Sequence, residues 1–170
     1  YEIIFLTKLD CSQGFYQIPM ADSSIKYTGI KTHRGIFEFL CMPFGLKCSS
    51  VTFQRIADKM LRPHDEYASA YIDDTTVYSE NCCDHLTHLE NVLNAFDNAG
   101  LTLKLKKCSF AKPCIEFVGH RVGSGEIAVI HSKVDAILKI PEPNNKKLLR
   151  SFLGMCSYYR SFIPNFAELA

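Results

Sequence analysis

The sequence predicts an α+β fold, and three observations carry that prediction. Short runs of β-branched and aromatic residues recur along the first two thirds of the chain, at residues 3–9, 71–78 and 115–120. Between them, Phe53, Ile56, Ala57, Met60 and Leu61, and then Leu86, Leu89, Leu93 and Phe96, repeat at helical spacing. Near residues 121–125 the mixed pattern gives way to mainly helical text, which sets an expected boundary between residues 1–122 and 123–170. Hydrophobic residues make up 47% of the 170, enough for a packed core and against wholesale disorder.

Taken in order, residues 3–9 read as a buried strand ending on Asp10. An acid at the end of a buried strand is either a cap or a ligand for something. Cys11-Ser12-Gln13-Gly14 reads as a turn before Phe15-Tyr16-Gln17-Ile18. Residues 19–39 have a polar, strand-like texture, and a hairpin turning at His33-Arg34-Gly35 is expected to extend from the body. Met42-Pro43-Phe44-Gly45-Leu46 is a turn, Ser49 or Ser50 the expected N-cap of the first long helix, and Pro63 its stop. Asp73 and Asp74 then fall at the tip of a second hairpin, framed by Tyr71, Ile72 and residues 75–78. Strand alternation sends neighbours to opposite faces, but a tight turn breaks it and lets both acids reach one side. Two such charges repel unless a cation neutralises them; a solvated Asx-type turn is the plain alternative.

Residues 81–84 cap a second helix and Gly100 closes it. Residues 101–107 alternate Leu101 and Leu103 with lysines and read as a short strand. Residues 115–120 read as another, with Gly119 where backbone needs close approach. Gly123-Ser124-Gly125 turns back into residues 127–130. Ser132 is expected to cap a helix through Leu138, broken by Pro141 and Pro143. Asn144 or Asn145 starts a last helix with Leu149, Phe152, Leu153, Cys156 and Tyr159 inward, halted by Pro164.

A net charge of +1 provides no bulk attraction for polyanions, so nucleic-acid binding would have to come from local clusters. Lys104, Lys106 and Lys107, then Lys112, then Lys146, Lys147 and Arg150 are such clusters, or else solvated faces. No apolar run approaches membrane-spanning length. The eight cysteines are irregularly spaced and follow no visible signal peptide, which predicts free thiols in a reducing compartment. Cys82, Cys83, His85 and His88 form the one metal-like cluster, but without a CxxC pair they read against structural zinc. Gly-rich phosphate loops, HExxH and GxSxG are absent. Both ends of the sequence sit in apolar text, which predicts a piece of a longer protein.

If the strand ending at Asp10 neighbours the acidic hairpin, three carboxylates converge. Oxygen-only ligands suit Mg2+, and two such ions activate an attacking oxygen and stabilise a leaving one, the chemistry of phosphoryl or nucleotidyl transfer. Tyr71-Ile72-Asp73-Asp74 resembles the Tyr-x-Asp-Asp box of reverse transcriptases. Leu9-Asp10 followed by Gly14-Phe15-Tyr16-Gln17-Ile18 resembles that family's preceding catalytic strand. Met42-Pro43-Phe44-Gly45-Leu46, with Thr52-Phe53-Gln54, resembles its nucleotide-side loop and helix. Lys106-Lys107-Cys108 and Phe117-Val118-Gly119-His120 resemble two further boxes, the latter the primer-grip region. Leu149-Arg150-Ser151-Phe152-Leu153-Gly154 with Tyr158-Tyr159-Arg160-Ser161-Phe162-Ile163 resembles the start of the thumb in gypsy-type LTR retrotransposons. The boxes stand in family order and spacing along essentially the whole chain, so it resembles the polymerase segment of a gypsy-type retrotransposon Pol polyprotein.

The resemblance implies a palm, an antiparallel sheet packed on helices, over residues 1–122, with partial fingers inserted at about residues 17–45 and a helical thumb start over 123–170. It implies an RNA-directed DNA polymerase. Asp10 and Asp73 hold two Mg2+ ions, for which Mn2+ can substitute; Asp74 supports them, and Lys107 protonates the leaving pyrophosphate. Phe15 becomes the steric gate under the sugar, with Phe44, Gly45 and Tyr71 beside the nucleotide, Gln54 near the template, and Phe117, Gly119 and His120 at the primer end. Implied partners are an RNA or DNA template with its primer, dNTPs, and the protease, RNase H and integrase of the parent polyprotein, with no membrane. The implied setting is intracellular, a cytoplasmic particle or the nucleus. Cys48-Ser49-Ser50 replaces the family's usual Asn-Ala-Pro, a departure close to the nucleotide. Two other readings stay open: a catalytically silent, truncated or co-opted palm that serves as a binding or structural module, and another two-metal nucleotidyltransferase built on a palm.

Overall fold

The computed structural model describes residues 5–170; the part of the first predicted strand at Ile3 and Ile4 lies outside them. In chain order the elements are β1 (Phe5–Asp10), α1 (Asp22–Ile25), β2 (Ile30–Thr32), β3 (Gly35–Phe37), α2 (Ser49–Leu61), β4 (Ala68–Tyr71), β5 (Asp74–Ser79) and α3 (Cys82–Asn98). After them come β6 (Ser109–Lys112), β7 (Cys114–Phe117), β8 (His120–Gly123), β9 (Glu126–Val129), α4 (His131–Leu138), α5 (Lys146–Tyr158) and α6 (Phe166–Leu169). The central sheet runs β4-β5-β1-β6 and is antiparallel throughout. Helices α2 and α3 pack on one face of it. The core lies between them: Leu9, Phe53, Leu61, Ala68, Val77, Val92 and Phe96 are all buried. No helix of the described residues is long and apolar enough to cross a membrane.

Strand alternation in β1 explains its dual use. Thr7 and Leu9 are fully buried under the helices, while Lys8 and Asp10 take the opposite face and bond to Asp74 and Lys107. The hairpin expected from residues 19–39 exists as β2 and β3, but it is shorter. Residues 22–28 form α1 and a 3-10 turn rather than strand, and Thr28 Oγ1 closes that turn on the Ile25 carbonyl at 2.7 Å while accepting the Phe39 amide at 2.8 Å.

Helix α2 starts where expected but without a serine cap. Ser49 is instead buried, and its hydroxyl donates to the Pro43 carbonyl at 3.1 Å, tying the Met42–Leu46 loop to the helix. In α3 Leu89 and Phe96 face inward as expected, but His85 and Val92 take the inward places expected of Leu86 and Leu93, which are exposed. The cap is as expected, with the Asn81 side chain accepting the Asp84 amide at 2.9 Å. Residues 101–107 are not a strand. They carry an isolated bridge from Leu103 to Cys11 and then a 3-10 turn over Leu105–Lys107.

Residues 115–120 are not one strand either. Val118 and Gly119, both with positive φ, make a two-residue turn between β7 and β8, and Ser124 and Gly125 make a second between β8 and β9. The resulting three-stranded sheet spans residues 114–129, so the expected boundary at 122/123 falls inside β8. Gly123 is required there, because a Cβ would stand 2.1 Å from the Pro113 carbonyl oxygen. Helix α4 has no side-chain cap from Ser132. Asn145 does cap α5, accepting the Leu148 amide at 2.9 Å. Tyr159 is buried and Phe152, Leu153 and Cys156 are half-buried, whereas Leu149 faces outward.

His85 holds its core position through a polar chain. Thr7 Oγ1 lies 2.7 Å from Nε2, Ser79 Oγ lies 3.0 Å from Nδ1, and Ser79 Oγ also reaches His88 Nδ1 at 2.8 Å. The Ala111 amide donates to Thr7 Oγ1. One proton assignment satisfies every group: Thr7 O–H to His85 Nε2, His85 Nδ1–H to Ser79, and Ser79 O–H to His88. His88 stacks on Tyr67 with ring centroids 3.7 Å apart. Both histidines of the Cys82-Cys83-His85-His88 cluster are thus engaged within the protein, while Cys82 and Cys83 are exposed.

Burial, then neighbouring His88, lowers the His85 pKa below 6.5. The unfolded chain therefore takes up the proton first, and stability present above pH 6.5 is lost as pH falls through the lowered native value. Thermal unfolding midpoints measured from pH 7.5 to 5 are expected to fall, and His85→Gln is expected to flatten that dependence. A second prediction concerns Gly14, where an added Cβ would stand 3.0 Å from the buried Phe53 ring. Gly14→Ala is expected to destabilise by about 1–3 kcal/mol in urea unfolding, the usual effect of overpacking.

Candidate active site

The site grows from the register of β1 against β5. That pairing sets Asp10 directly opposite Asp74, and directly opposed residues share a face, here the one away from the helices. Like charges so placed are destabilising, and each acid has its own lysine: Lys8 Nζ to Asp74 Oδ2 at 2.9 Å, and Lys107 Nζ to Asp10 Oδ2 at 3.3 Å. Asp10 is the more buried carboxylate. Its second oxygen, Oδ1, is buried with no hydrogen-bond partner, an unusual state for a polar atom withdrawn from water.

Asp73 is not in a strand. Tyr71 pairs with Asp74, so the two-residue tip is Ile72-Asp73 and not Asp73-Asp74. Asp73 faces a cavity of about 320 Å³ that it shares with Gly14, Phe15, Phe44, Lys104 and Lys107. The Cys11 amide donates to its carbonyl at 3.3 Å, fastening the tip to the end of β1. The thiol of Cys11 is pushed up to about 12, first by burial and then by the charges of Asp73 and Asp10, so it stays protonated and inert beside the acids. The three acids thus occupy adjoining positions but, contrary to expectation, do not converge into one three-carboxylate group: Asp73 opens to the cavity, Asp10 is buried beside Lys107, and Asp74 is paired with Lys8.

The cavity floor is aromatic. Phe15 lies in a 3-10 turn (Gly14–Gln17), its ring 5.0 Å from that of Phe44 and 5.8 Å from that of Phe53. Phe44 is exposed, and Gly45 after it has φ +91°, a conformation that suits glycine. Tyr71 is exposed at the end of β4, opposite Asp74, and does not line this cavity. Sequence reasoning missed Gln17 as a structural tie. Its amide bonds to the carbonyls of Ser12 and Thr102 and to the Thr102 amide at 2.6–3.0 Å, holding the Phe15 turn against the segment that leads to Lys107. Only its place in the Gln17-Ile18 box hinted at this.

Gln54 was expected near a template. Its side-chain amide is instead engaged within the protein, by Ala70 and Ile72 at the hairpin and by exposed Asp58 on its own helix. The residues expected at a primer end form a separate group on the β7–β8 hairpin. Tyr158 donates to the Val118 carbonyl at 2.6 Å and Tyr159 to the Gly119 carbonyl at 3.2 Å. His120 stacks on Tyr158 at 5.4 Å within an aromatic cluster that includes Tyr159 and Phe162, with Nδ1 buried and unpartnered. Phe117 pairs with it across the turn.

A family model described as reverse transcriptase (RNA-dependent DNA polymerase) matches residues 3–122. Over 167 residues, 98% of the chain, it is 40% identical to the retrovirus-related Pol polyprotein from transposon 297 of Drosophila melanogaster. It is 41% identical to that from transposon opus and 37% to that from transposon gypsy of the same organism. The chain spans only 16–17% of the length of these relatives. Among solved structures it superposes on a foamy viral protease-reverse transcriptase in complex with double-stranded DNA with a TM-score of 0.91 and 26% identity, covering 99% of this chain and 30% of that one. The same viral protein in complex with an RNA/DNA hybrid gives 0.87 and 27%, over 97% of this chain and 22% of that one. With its fold, its ordered motifs and its sequence relatives in agreement, the chain belongs to the reverse transcriptase family, with gypsy-type retrotransposon Pol polyproteins among its relatives.

Proposed function

We propose that this chain is the palm, with partial fingers at about residues 17–45 and a thumb start over 123–170, of an RNA-directed DNA polymerase that adds dNTPs to a primer 3′ end. The observation that carries this reading is a cavity-facing Asp73 fastened, through the Cys11 amide, to the end of β1 where Asp10 lies buried with no partner in the protein for its Oδ1. A carboxylate oxygen withdrawn from water and left unpaired fits a hard cation, and two carboxylates with substrate phosphates suffice for Mg2+, or for Mn2+ in its place. Two bound ions would supply activation of the primer 3′ oxygen and neutralisation of the charge on the leaving pyrophosphate.

The chain's own residues do the remaining work. Asp10 and Asp73 would hold the cations, and Asp74 would support them while Lys8 offsets its charge. Lys107 balances Asp10 and hands a proton from Nζ to the leaving pyrophosphate, as its lining of the same cavity supports. Phe15 lies beneath the sugar and excludes a 2′-hydroxyl; its bracing by Phe44 and Phe53 provides the stiffness that role needs. Phe44, Gly45 and Tyr71 flank the nucleotide. Phe117, Gly119 and His120 position the primer end, on a hairpin held by Tyr158 and Tyr159. The substrate duplex is of the kind in the foamy viral complexes, RNA/DNA hybrid or double-stranded DNA. The protease, RNase H and integrase of a parent Pol polyprotein are the expected companions, in an intracellular particle.

The test is dNTP incorporation on poly(rA)/oligo(dT) with Mg2+ or Mn2+, using a protein that carries this segment and its preceding fingers. Asp73→Asn is expected to lower incorporation by about 10²–10³-fold, the scale of losing one electrostatic group at a transition state. No incorporation by the unaltered protein would favour the catalytically silent module. Phe15→Ala is expected to raise ribonucleotide use relative to deoxyribonucleotide by about 10-fold or more, read from kcat/KM for the two substrates; an unchanged ratio removes the gate.

A further inference from the structure

The tip that carries Asp73 is held in a conformation its sequence disfavours. Ile72 has φ +56°, in the left-handed region, where a β-branched side chain crowds its own backbone. Such a residue persists only where its surroundings hold it. Gln54, half-buried on α2, supplies that hold. Its Oε1 accepts the Ile72 amide at 2.6 Å, and its Nε2 donates to the Ala70 carbonyl at 2.9 Å. The same Nε2 donates to Asp58 Oδ1 at 2.7 Å, one helical turn further on. A carboxylate accepts and cannot donate, so Asp58 fixes which end of the amide faces which way and prevents a flip. The helix itself is anchored beside Gln54 by the buried Phe53. On the far side of the tip the Cys11 amide grips the Asp73 carbonyl. The two ends of the turn are therefore clamped from two different elements.

We propose that Gln54 is a positioning residue for the catalytic acid: it holds Ile72 left-handed and so sets the direction of the Asp73 carboxylate, with Asp58 orienting its amide. This rests on the polymerase reading of Asp73. It replaces a template contact for Gln54, whose two N–H donors are both spent inside the protein.

Three readouts test it: amide hydrogen exchange at Ile72 and Mn2+ affinity by electron paramagnetic resonance, both on this chain, and steady-state kinetics in a polymerase that carries it. Gln54→Ala is expected to speed Ile72 exchange by about 10-fold or more and to weaken Mn2+ by about 10–100-fold, the range for lost support of a metal ligand. It should lower kcat by about 100-fold, the effect of displacing a reacting group by about 1 Å, while the KM for primer-template stays within about 2-fold. Glycine adopts positive φ freely, so adding Ile72→Gly to Gln54→Ala should restore most of the Mn2+ affinity, which a general loss of folding would not allow. Asp58→Ala, a milder change, should move the same readouts in the same direction by a smaller factor. Wild-type Mn2+ affinity in Gln54→Ala, or a loss confined to primer-template KM, overturns the inference and leaves the polymerase reading standing. A wild-type chain that binds no Mn2+ overturns that reading, and this inference with it.

Discussion

Two carboxylates face each other across the middle of an antiparallel sheet, and much of the molecule serves to make that tolerable. The pairing of β1 with β5 forces Asp10 and Asp74 onto one face at adjacent positions. Left alone, they would weaken the sheet at the point where it carries its chemistry. The sequence answers with Lys8 from the same strand and Lys107 from a distant 3-10 turn, one for each acid. Helices α2 and α3 seal the other face with fully buried Leu9, Val77 and Val92, so strain on the charged face does not open the core. Asp73, at the tip, escapes the pairing and looks into the cavity.

Much of this was legible in the residues. Strand, turn, helix and hairpin around the acids followed from periodicity, and the Asn81 and Asn145 caps from local chemistry alone. Misreadings cluster where tertiary contacts overrule local preference. Val118 looks like the middle of a strand, but two tyrosine hydroxyls, from the last residue of α5 and its C-cap, hold its turn in the left-handed region. His85 interrupts an apolar stripe because Thr7 and Ser79 satisfy its ring inside the core. Ser49 has the composition of a cap and serves as a buried tie.

The site divides in the same way. The spelling of the boxes brought Asp10, Asp73, Phe15 and Lys107 together, and these residues do gather around one cavity and its rim. The unequal surroundings of the three acids were not readable, because they depend on register and on which lysine reaches which oxygen. Nor were the two glutamines. Gln17 and Gln54 both act through main-chain atoms of distant segments, and no spacing rule announces a side chain that reads backbone.

The grip of α5 on the β7–β8 hairpin has the same character, and it bears on how such a chain can diverge. Tyr158 and Tyr159 take hold of carbonyl oxygens, which every residue possesses. The docking is therefore blind to the side chain at position 118, within the limits that a left-handed turn sets, but not at 119, where a Cβ would stand 3.0 Å from the Tyr158 hydroxyl. The side chain at 118 can drift without detaching the hairpin, whereas neither the two hydroxyls nor the bare Cα at 119 can be lost without loosening it. This joint therefore constrains three positions, the two tyrosines at the helix end and the glycine that makes room for one of their hydroxyls, and leaves position 118 open to change.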